Sequence, residues 1–345
     1  MTISIVTGAP GWLGTRLVHA LANGVAGVPA LGPTDRKTRC LVLPDVDASE
    51  LEQLGAEIVR GDVTDPASLA RLFDGATDAT VFHSAGVIHP TRGVRQFHEV
   101  NAVGTQHMLA AAKAARIRRF VHVSSNSPIG TNASPDQVFD EQAPYHPYMG
   151  YGKTKMLAEQ AVRAATDFEF AIIRPPWFYG PGQPPRQSLF FAMIRDGKLP
   201  IVGSGENRRS MAYVDNICQG LLLCDRVAKA AGNIYWIADR TPYTMNEIVA
   251  TVEQVLERDF QIAVAHKTRR LPGFASSVAY GIDAMTQGMG LYLQKIHVLS
   301  EMNKTIACTI AKAEAELGFD PKVALDEGMR RSIAWVLERG PIPPS

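Results

Sequence analysis

The chain has 345 residues, 46% hydrophobic and 20% charged, and its 35 basic and 34 acidic residues leave a formal net charge of +1. This length predicts about two domains, and the composition excludes a disordered chain, a collagen and a coiled coil. A charge this close to zero provides no general attraction to nucleic acid.

The first half of the chain alternates between β-branched runs and helical patterns. Strands separated by helices of this length indicate β-α-β units and a parallel sheet. We therefore predict an α/β fold with a Rossmann-type doubly wound parallel sheet, whose ligands lie at the carboxyl ends of the strands. The intervening segment 24–37 is predicted to be a surface insertion. Strands are predicted at 3–7, 39–43, 57–61, 79–84, 120–124 and 170–174, and helices at 14–23, 50–54, 66–73, 95–115 and 152–165.

The pattern changes after residue 174, where the proline-rich stretch 175–187 predicts a loop. A helical stretch at 246–257 and an apolar periodicity at 278–299 follow. We expect a smaller C-terminal α/β lobe that binds substrate. The predicted domains are a dinucleotide-binding domain at 1–175, with a further strand and helix from about 205–238, and a substrate-binding lobe at 176–204 and 239–345.

Cysteine usage and the N-terminal sequence bear on the compartment. The 4 cysteines are scattered without C-x-x-C spacing, which favours a reducing compartment over a disulfide framework or a zinc site. The N-terminal residues already have a strand pattern, which leaves no room for a signal peptide, and no apolar run is long enough to cross a bilayer. We expect a cytoplasmic enzyme with no metal site, no membrane span and no nucleic-acid partner.

A glycine-rich run, Gly8, Gly11, Trp12, Leu13 and Gly14, separates the first strand from the first helix. Glycine lets the backbone turn tightly and approach a pyrophosphate, and a helix N-terminus presents unpaired N–H groups. The spacing is G-x-x-G-x-x-G rather than G-x-G-x-x-G, so the prediction depends on its position between strand and helix. We predict a dinucleotide-binding loop. The alternative is a glycine-rich turn without a ligand.

Asp62 and Val63 follow the third predicted strand. A carboxylate at the carboxyl end of a strand is placed to accept a hydrogen bond from an adenine amino group. The alternative role is an N-cap for the helix that begins at Pro66. Asp65 stands in that capping position, so we assign Asp62 to the adenine.

Tyr151 and Lys155 lie four residues apart on a predicted helix and therefore share one face. A phenol is a poor base near neutral pH, but a neighbouring ammonium favours the phenolate and lowers the phenol pKa. Tyr151 is then able to exchange a proton while a hydride moves. This spacing is common, and the alternative is an exposed helix pair. Lys153 is expected to be solvated.

A strand that ends in hydroxyl groups supplies the partner of Tyr151. Ser125 follows the strand 120–124 and is placed to donate to a substrate oxygen and orient it. The neighbouring Ser124 is expected instead to satisfy turn backbone.

Together these residues resemble the extended short-chain dehydrogenase/reductase family, which is also the NAD-dependent epimerase/dehydratase family. The resemblance runs through nearly the whole chain, and it is closest to the branch of 3-beta-hydroxysteroid dehydrogenases and sterol-carboxylate decarboxylases. The matching stretches, in order, are 8–14, 62–63, 82–86, 101–105, 124–125, 151–155, 174–182, 209–216 and 311–321.

The resemblance implies a catalytic trio of Ser125, Tyr151 and Lys155, with Asn101 supporting the proton relay. It implies that Lys155 also holds the nicotinamide ribose.

Further implications concern the cofactor and the assembly. Ala85 and Gly86 would pass along the ribose, and Pro175 would lie near the carboxamide. The resemblance also implies a small-molecule substrate and a homodimer that pairs the helices at 95–115 and 152–165.

The residues expected to contact substrate are Ser127, Trp177, Phe178 and Arg209. Nucleotide-sugar dehydratases of the family place Asp-Glu after the catalytic hydroxyl residue, whereas Asn126 and Ser127 follow here, which disfavours dehydration. Sugar epimerases of the family use an arginine at the position of Arg209 to clamp a diphosphate, a role that suits a guanidinium. The same arginine is equally suited to pair with a carboxylate or to lie on the surface.

The segment 272–299 is also similar to the steroid dehydrogenase branch, as is Asn207. Periodic apolar faces usually pack into a core, and the alternative is a cover for an apolar substrate. A membrane-surface role is disfavoured, because the segment contains few basic residues. One helix face would carry Val278, Ile282, Met285, Met289, Tyr292, Ile296 and Leu299.

The sequence predicts an NAD(P)-dependent oxidoreductase that transfers a hydride between nicotinamide and a secondary alcohol or ketone. The substrate is expected to be hydrophobic, as for a 3-beta-hydroxysteroid dehydrogenase. One alternative is a nucleotide-sugar 4-epimerase, and another is a non-catalytic dinucleotide sensor or scaffold.

The second predicted strand leaves the choice between NAD and NADP open. Asp45 near its tip favours NAD through the ribose hydroxyls. Arg36, Lys37 and Arg39 are candidates for a 2′-phosphate, but they lie before or within the strand.

Overall fold

The computed structural model describes residues 2–345. Its strands are β1 (Ile3–Thr7), β2 (Lys37–Val42), β3 (Glu57–Arg60), β4 (Thr80–His83), β5 (Arg119–Val123), β6 (Glu169–Arg174), β7 (Trp177–Tyr179), β8 (Pro200–Val202), β9 (Arg208–Arg209), β10 (Met211–Tyr213), β11 (Asn233–Trp236), β12 (Tyr243–Thr244) and β13 (Arg269–Leu271).

The helices complete the two layers around these strands. They are α1 (Trp12–Asn23), α2 (Ser49–Gln53), α3 (Pro66–Leu72), α4 (Arg95–Phe97), α5 (Gly104–Ala115), α6 (Met149–Ala164), α7 (Pro185–Arg195), α8 (Val214–Arg226), α9 (Met245–Phe260), α10 (Phe274–Gly288), α11 (Gln294–Glu301), α12 (Ala311–Leu317) and α13 (Leu325–Leu337).

The central sheet has seven strands in the order β11-β6-β5-β4-β1-β2-β3. All neighbouring strands pair in parallel. The strand order reverses between β1 and β4, which is where a doubly wound sheet opens a crevice for ligands. The predicted Rossmann-type sheet is therefore confirmed.

Helices cover both faces of the sheet. On one face α1 and α8 pack through side chains such as Leu17 and Ile217, and on the other α3, α5 and α6 pack through Leu72, Met108 and Val162. Strands buried on both faces need apolar residues at successive positions. This requirement explains the continuous β-branched runs in the sequence.

Most elements predicted in the first half are present with bounds within three residues of the prediction. The helix predicted at 95–115 is not continuous, because a π-helical segment, His98–Val103, separates α4 from α5. The segment 24–37 is not simply a surface insertion. Its 3-10 turn places Leu31, 2% exposed, in the core.

A second lobe has its own core, in which α7, α9 and α13 pack through Phe191, Val252 and Ile333. The predicted helix at 246–257 is α9. Three short two-stranded sheets, β10-β7, β12-β9 and β13-β8, lie outside the central sheet. Within residues 2–345, none of the helices combines the length and the apolar character needed to cross a membrane.

Candidate active site

The glycine-rich loop after β1 folds onto itself so closely that side chains are excluded. Gly8 has φ +84°, and a Cβ there would lie 2.7 Å from the Ala85 nitrogen. A Cβ at Gly11 or Gly14 would lie 2.6 or 2.5 Å from the Gly8 carbonyl oxygen. Within the described chain, no side chain caps the α1 N-terminus, so its N–H groups remain available to a pyrophosphate. The loop fits a dinucleotide.

Hydrogen bonds to Thr7 hold the carboxyl end of β4 beside this loop. The Ser84 hydroxyl donates to the Thr7 carbonyl at 2.6 Å, and the Ala85 N–H donates to the Thr7 hydroxyl at 3.2 Å. The fold therefore brings Ala85 next to Gly8, and Gly86 follows it beside the Asn101 side chain.

Asp62 lies at the carboxyl end of β3, and one of its carboxylate oxygens accepts hydrogen bonds from the protein. Its Oδ1 accepts from the Thr64 N–H and hydroxyl, both at 2.9 Å, and among residues 2–345 no donor reaches Oδ2. Asp65 caps α3 by accepting from two backbone N–H groups, which confirms its predicted role. Val63 is buried against Gly104, where a Cβ would lie 2.7 Å from Val63 Cγ2.

Helix α6 carries Tyr151 and Lys155 beside the carboxyl end of β5. Lys155 is 4% exposed, and its ammonium donates to the Val123 carbonyl at 2.7 Å and lies 3.3 Å from His122 Nε2. Two of its three donors are therefore directed at the protein interior. Lys153 is exposed, as predicted.

Tyr151 is half-buried, with its ring 5.9 Å from that of Phe97. Burial raises its pKa to about 12, a hydrogen bond with Ser125 opposes the rise, and the Glu301 carboxylate adds to it. The expectation that Lys155 lowers the phenol pKa is wrong for the chain alone, because loss of hydration dominates. Burial also lowers the Lys155 pKa to about 8.

The hydroxyl groups after β5 point in different directions. Ser125 and Ser127 are both 8% exposed, and the Ser125 Oγ accepts from the Ser127 N–H at 3.3 Å and lies 3.4 Å from its hydroxyl. The structure thus places Ser127 next to Ser125. Ser124 does not satisfy turn backbone. Its hydroxyl donates to Glu159 Oε1 at 2.5 Å.

Glu159 is a buried anchor of α6 that the sequence analysis missed. It forms an ion pair with Arg174 of β6 at 2.7 Å, with side chains 0% and 2% exposed. The Tyr145 hydroxyl donates to the same carboxylate at 2.9 Å. The available signal was the continuation of the four-residue spacing from Tyr151 and Lys155.

Asn101 joins the loop after β4 to α6. Its side-chain oxygen accepts from the Val87 N–H at 2.7 Å, and its amide donates to the Val87 carbonyl at 3.0 Å and to the Thr154 hydroxyl at 3.3 Å. Its observed contacts are therefore with the supporting backbone, and neither Tyr151 nor Lys155 is among them.

Two buried histidines lie side by side under the site, His83 on β4 and His122 on β5, and the sequence analysis singled out neither. The Thr7 and Thr105 hydroxyls bond the two His83 nitrogens at 2.8 and 3.0 Å. Burial lowers the His83 pKa to about 3 and the His122 pKa well below its usual value. A neutral His122 offers its Nε2 lone pair to Lys155.

Pro175, Trp177 and Phe178 extend the site toward the second lobe. Pro175 is buried beyond the carboxyl end of β6. The Phe178 ring packs edge-on against Trp12 at 6.1 Å, whereas the Trp177 ring packs against Phe190 of α7 at 5.6 Å. Phe178 therefore borders the glycine loop, and Trp177 faces the second lobe.

Arg209 is buried between β9 and the end of α11. One guanidinium nitrogen donates to the Glu301 carbonyl at 2.5 Å. Its Nε has no hydrogen-bond partner in residues 2–345. Burial lowers the Arg209 pKa against the opposing charge of Glu301.

The α10–α11 hairpin (residues 274–301) covers the Tyr151 end of α6. Gln287 accepts from the Gly150 N–H at 3.2 Å. The Tyr292 hydroxyl lies 2.8 Å from His89 Nδ1, and the Tyr292 ring lies 5.6 Å from that of Phe97.

The apolar periodicity at 278–299 does not form a core. Asp283 and Ala279 turn inward, at 0% and 3% exposed. Packing on its own lobe is therefore the wrong interpretation for four of the predicted positions. The exposed side chains are Val278, Ile282, Met285 and Met289.

The basic residues considered for a 2′-phosphate are engaged at the amino edge of the sheet, far from the carboxyl ends of the strands. Arg36 pairs with Asp225 at 2.7 Å, Lys37 with Glu57 at 2.9 Å, and Arg39 donates to the Leu72 carbonyl at 2.9 Å.

A different arginine lies at the cofactor edge, and the sequence analysis missed it. Arg60 at the end of β3 is exposed and donates to the Leu43 carbonyl at 3.2 Å, immediately after β2. Asp45 is exposed in the same loop.

Comparisons with known proteins agree with this geometry. The model of the "NAD dependent epimerase/dehydratase family" matches residues 4–238. The uncharacterized protein y4nL of Sinorhizobium fredii is 49% identical over 97% of this chain and 95% of its own. The 2-alkyl-3-oxoalkanoate reductase of Stenotrophomonas maltophilia is 28% identical over 95% of this chain and 97% of its own.

A solved structure is similar over almost the whole chain. The dTDP-glucose 4,6-dehydratase DesIV of Streptomyces venezuelae, with NAD and TYD bound, superposes with a TM-score of 0.75 at 26% identity, covering 98% of this chain and 97% of that chain.

Proposed function

The chain belongs to the NAD-dependent epimerase/dehydratase family, an enzyme family of the extended short-chain dehydrogenase/reductase type, and from this premise we propose that it interconverts a secondary alcohol and a ketone. It uses NAD(P). The observation that supports the proposal is the convergence of Ser125, Tyr151 and Lys155 at the carboxyl end of β5, beside a glycine loop that admits no side chains.

In the proposed reaction, Tyr151 moves the proton. When bound, the nicotinamide supplies or accepts the hydride at the carbinol carbon. The pKa of Tyr151 is raised to about 12 in the free chain, so the phenol is protonated at neutral pH. It therefore donates its proton to the substrate oxygen during ketone reduction. The Ser125 hydroxyl bonds the same oxygen and orients the carbonyl.

Lys155 provides positive charge next to the reacting oxygen. It keeps one donor free because Val123 and His122 engage the other two. We assign that donor to the nicotinamide ribose, as the family resemblance implies. His122 is a positioning residue, because it acts through Lys155, and Asn101 likewise supports α6 through Thr154.

The proposed substrate is hydrophobic. The aromatic rings of Phe97 and Tyr292 lie at the Tyr151 end of α6, and Asn126 and Ser127 stand where a dehydratase places its acid pair. The 2-alkyl-3-oxoalkanoate reductase relative, by its name, acts on an alkyl-substituted keto acid. In this scheme Trp177, Phe178 and Ser127 contact substrate.

The chain divides this work between two regions. Residues 1–175 and about 205–238 bind the cofactor, through the glycine loop, Asp62, Val63, Ala85, Gly86 and Pro175, and residues 176–204 and 239–345 bind substrate. A homodimer paired through α5 and α6 completes the proposal.

A nucleotide-sugar 4-epimerase is the second candidate, because of Arg209. Its buried Nε has no partner in the described chain, and a guanidinium in that state suits a phosphate oxygen. Contact between a nucleoside diphosphate and Arg209 would favour this candidate.

NAD is the proposed preference over NADP. Asp45 lies in the loop after β2 with an exposed carboxylate that suits the ribose hydroxyls, while Arg60 nearby is the remaining candidate for a 2′-phosphate.

The test follows reduced-nicotinamide absorbance with hydrophobic ketones and with nucleotide sugars. A dehydrogenase changes this absorbance in proportion to product, and the expected result is turnover of a hydrophobic ketone. Conversion of a nucleotide sugar to its 4-epimer without net absorbance change would replace the proposal by the epimerase.

A further inference from the structure

Helix α10 exposes large apolar side chains along its whole length. Phe274, Val278, Met285 and Met289 are 69%, 55%, 60% and 62% exposed. The next turn continues the patch with Leu291, 55% exposed. Contiguous exposure on this scale is unusual on a monomer surface and marks an interaction site.

The patch also lacks the charged residues that normally solvate a surface helix. Between Pro272 and Gln294 the only charged residue is Asp283. Asp283 is 0% exposed and bonds His297 at 2.7 Å. The outer face of α10 therefore presents only apolar and neutral groups.

Basic residues lie at the N-terminal end of this face, outside the segment 278–299. Lys267, Arg269 and Arg270 immediately precede α10 and are exposed. Arg269 and Arg270 lie on β13, one short turn before Phe274.

More basic residues lie at the opposite end. The Val94 N–H donates to the Gly290 carbonyl at 3.2 Å, which brings the exposed Arg92 and Arg95 to the end of α10. Lys295 follows on α11 and is also exposed. The fold thus places cations at both ends of an uncharged apolar face, although the sequence of the segment contains few of them.

We propose that the outer face of α10 docks on an anionic lipid surface, with its apolar side chains in the interfacial layer and the flanking lysines and arginines on the lipid headgroups. An apolar face bordered by basic residues is the pattern that binds such a surface, through buried apolar area together with attraction to anionic lipid. The inner face of the same hairpin contacts Gly150, and its Tyr292 ring packs against Phe97, which packs in turn against Tyr151. Docking therefore places the hairpin that covers the Tyr151 end of α6 against the lipid, which on the proposed function is a source of hydrophobic substrate.

A second copy of this chain is a poorer occupant. A two-fold contact places the same face of each copy against the other, so Lys267, Arg269 and Arg270 would approach their own counterparts or other basic residues. Like charges brought together at an interface destabilise it, whereas anionic headgroups neutralise all of them.

Flotation of the full-length protein with phosphatidylcholine vesicles, with and without phosphatidylglycerol, tests the proposal. We expect vesicles that contain phosphatidylglycerol to bind the protein at least about tenfold more strongly. Met285→Glu should weaken that binding by about tenfold or more, whereas Met285→Leu, which keeps an apolar side chain, should bind as the parent chain does. Val138→Glu, at another exposed apolar position (39%), is the matched control and should bind as the parent chain does.

Vesicle binding is measured without turnover, so the result tests lipid docking independently of the proposed reaction. Thermal unfolding of each variant verifies that the fold is retained. The proposal is overturned if the parent chain binds neither kind of vesicle, or if the Met285→Glu variant binds anionic vesicles as strongly as the parent chain. It is also overturned if vesicles without phosphatidylglycerol bind the parent chain equally well. A dimer that Met285→Glu converts to monomer would instead assign the face to a second copy.

Discussion

The carboxyl edge of the central sheet and the α10–α11 hairpin meet at Tyr151 and are constructed in opposite ways. At the sheet edge, polar side chains are buried and bonded to one another, as in the Glu159–Arg174 ion pair and the hydroxyls around His83. On the hairpin, the polar groups turn inward and apolar side chains such as Met285 face outward. The first arrangement holds reacting groups in place, and the second offers an adaptable apolar surface.

The difference separates two kinds of substitution. Changes at the sheet edge should reduce chemistry or stability sharply, because buried polar partners are left unsatisfied. Changes on the outer face of the hairpin should leave the fold intact and affect what the surface binds.

The largest expected effect is that of Tyr151→Phe, which removes the proposed proton donor. We expect kcat for the ketone to fall by about 10²–10⁴-fold, the usual contribution of a positioned acid or base. Tyr292→Phe on the hairpin is the matched control and should lose less than about tenfold. Similar losses of kcat in both variants would show that the sheet edge and the hairpin do not differ in their contribution to the reaction.

Next in size is the stability loss of Glu159→Ala, measured by denaturant unfolding. Removing one partner leaves the buried Arg174 charge unpaired, and we expect a loss of about 3–5 kcal/mol. Asp283→Asn changes the buried carboxylate of the hairpin, whose partner His297 is able to become neutral. The stability loss of Asp283→Asn should be smaller than that of Glu159→Ala. An equal or larger loss would contradict the difference between the sheet edge and the hairpin.

His122→Phe tests the support of Lys155. Without the Nε2 acceptor the ammonium is less well placed, and we expect kcat to fall about tenfold with little change in KM. His122→Gln retains an acceptor and should recover part of the rate. A merely structural role would reduce stability without this rescue and without moving the alkaline limb of the pH profile.

The pH dependence of stability should have opposite signs in the two regions. Burial depresses the His83 pKa to about 3 from 6.5, so the unfolded chain binds more protons and stability falls as the pH drops from about 6.5 toward 3, by up to about 1.4 kcal/mol per pH unit. His83→Asn should flatten this fall.

Burial opposes protonation of His297, but Asp283 bonds it and raises its pKa. Its contribution is therefore fully present below about pH 6.5 and disappears as the pH rises through its folded pKa. His297→Asn should reduce stability most below about pH 6.5 and progressively less as the pH rises through the folded pKa. Equal pH dependence in the two variants would show that the regions do not differ in this respect.

The smallest expected effect concerns the cofactor. Asp45→Ala should weaken NAD binding several-fold relative to NADP, and Arg60→Ala should leave NAD binding nearly unchanged. Dissociation constants measured for both dinucleotides decide this, and tighter binding of NADP than of NAD by the parent chain would reverse the proposed preference.

Sequence patterns predicted the parts of the molecule that depend on local spacing. The glycine run, the alternation of strands and helices, and the shared face of Tyr151 and Lys155 follow from short-range periodicity. Asp65 as a helix cap follows from the same kind of rule.

What sequence did not predict depends on contacts between distant segments. The arrangement of Arg60 against the loop after β2, and of His122 under Lys155, requires the pairing of strands. The α10 periodicity indicated a helix face correctly, but periodicity does not specify whether protein or solvent lies against it. The π-helical segment around Asn101 gave no recognisable periodic signal.

A hydrogen bond at the glycine loop connects the cofactor-binding region to the second lobe. The indole N–H of Trp12 donates to the Pro181 carbonyl at 2.7 Å, and Gly182 lies against the same ring. A dinucleotide that shifts the glycine loop on entering is therefore expected to affect the chain that leads into the second lobe. Because coupling between two sites is reciprocal, a bound dinucleotide and a bound second reactant are each expected to change the affinity for the other.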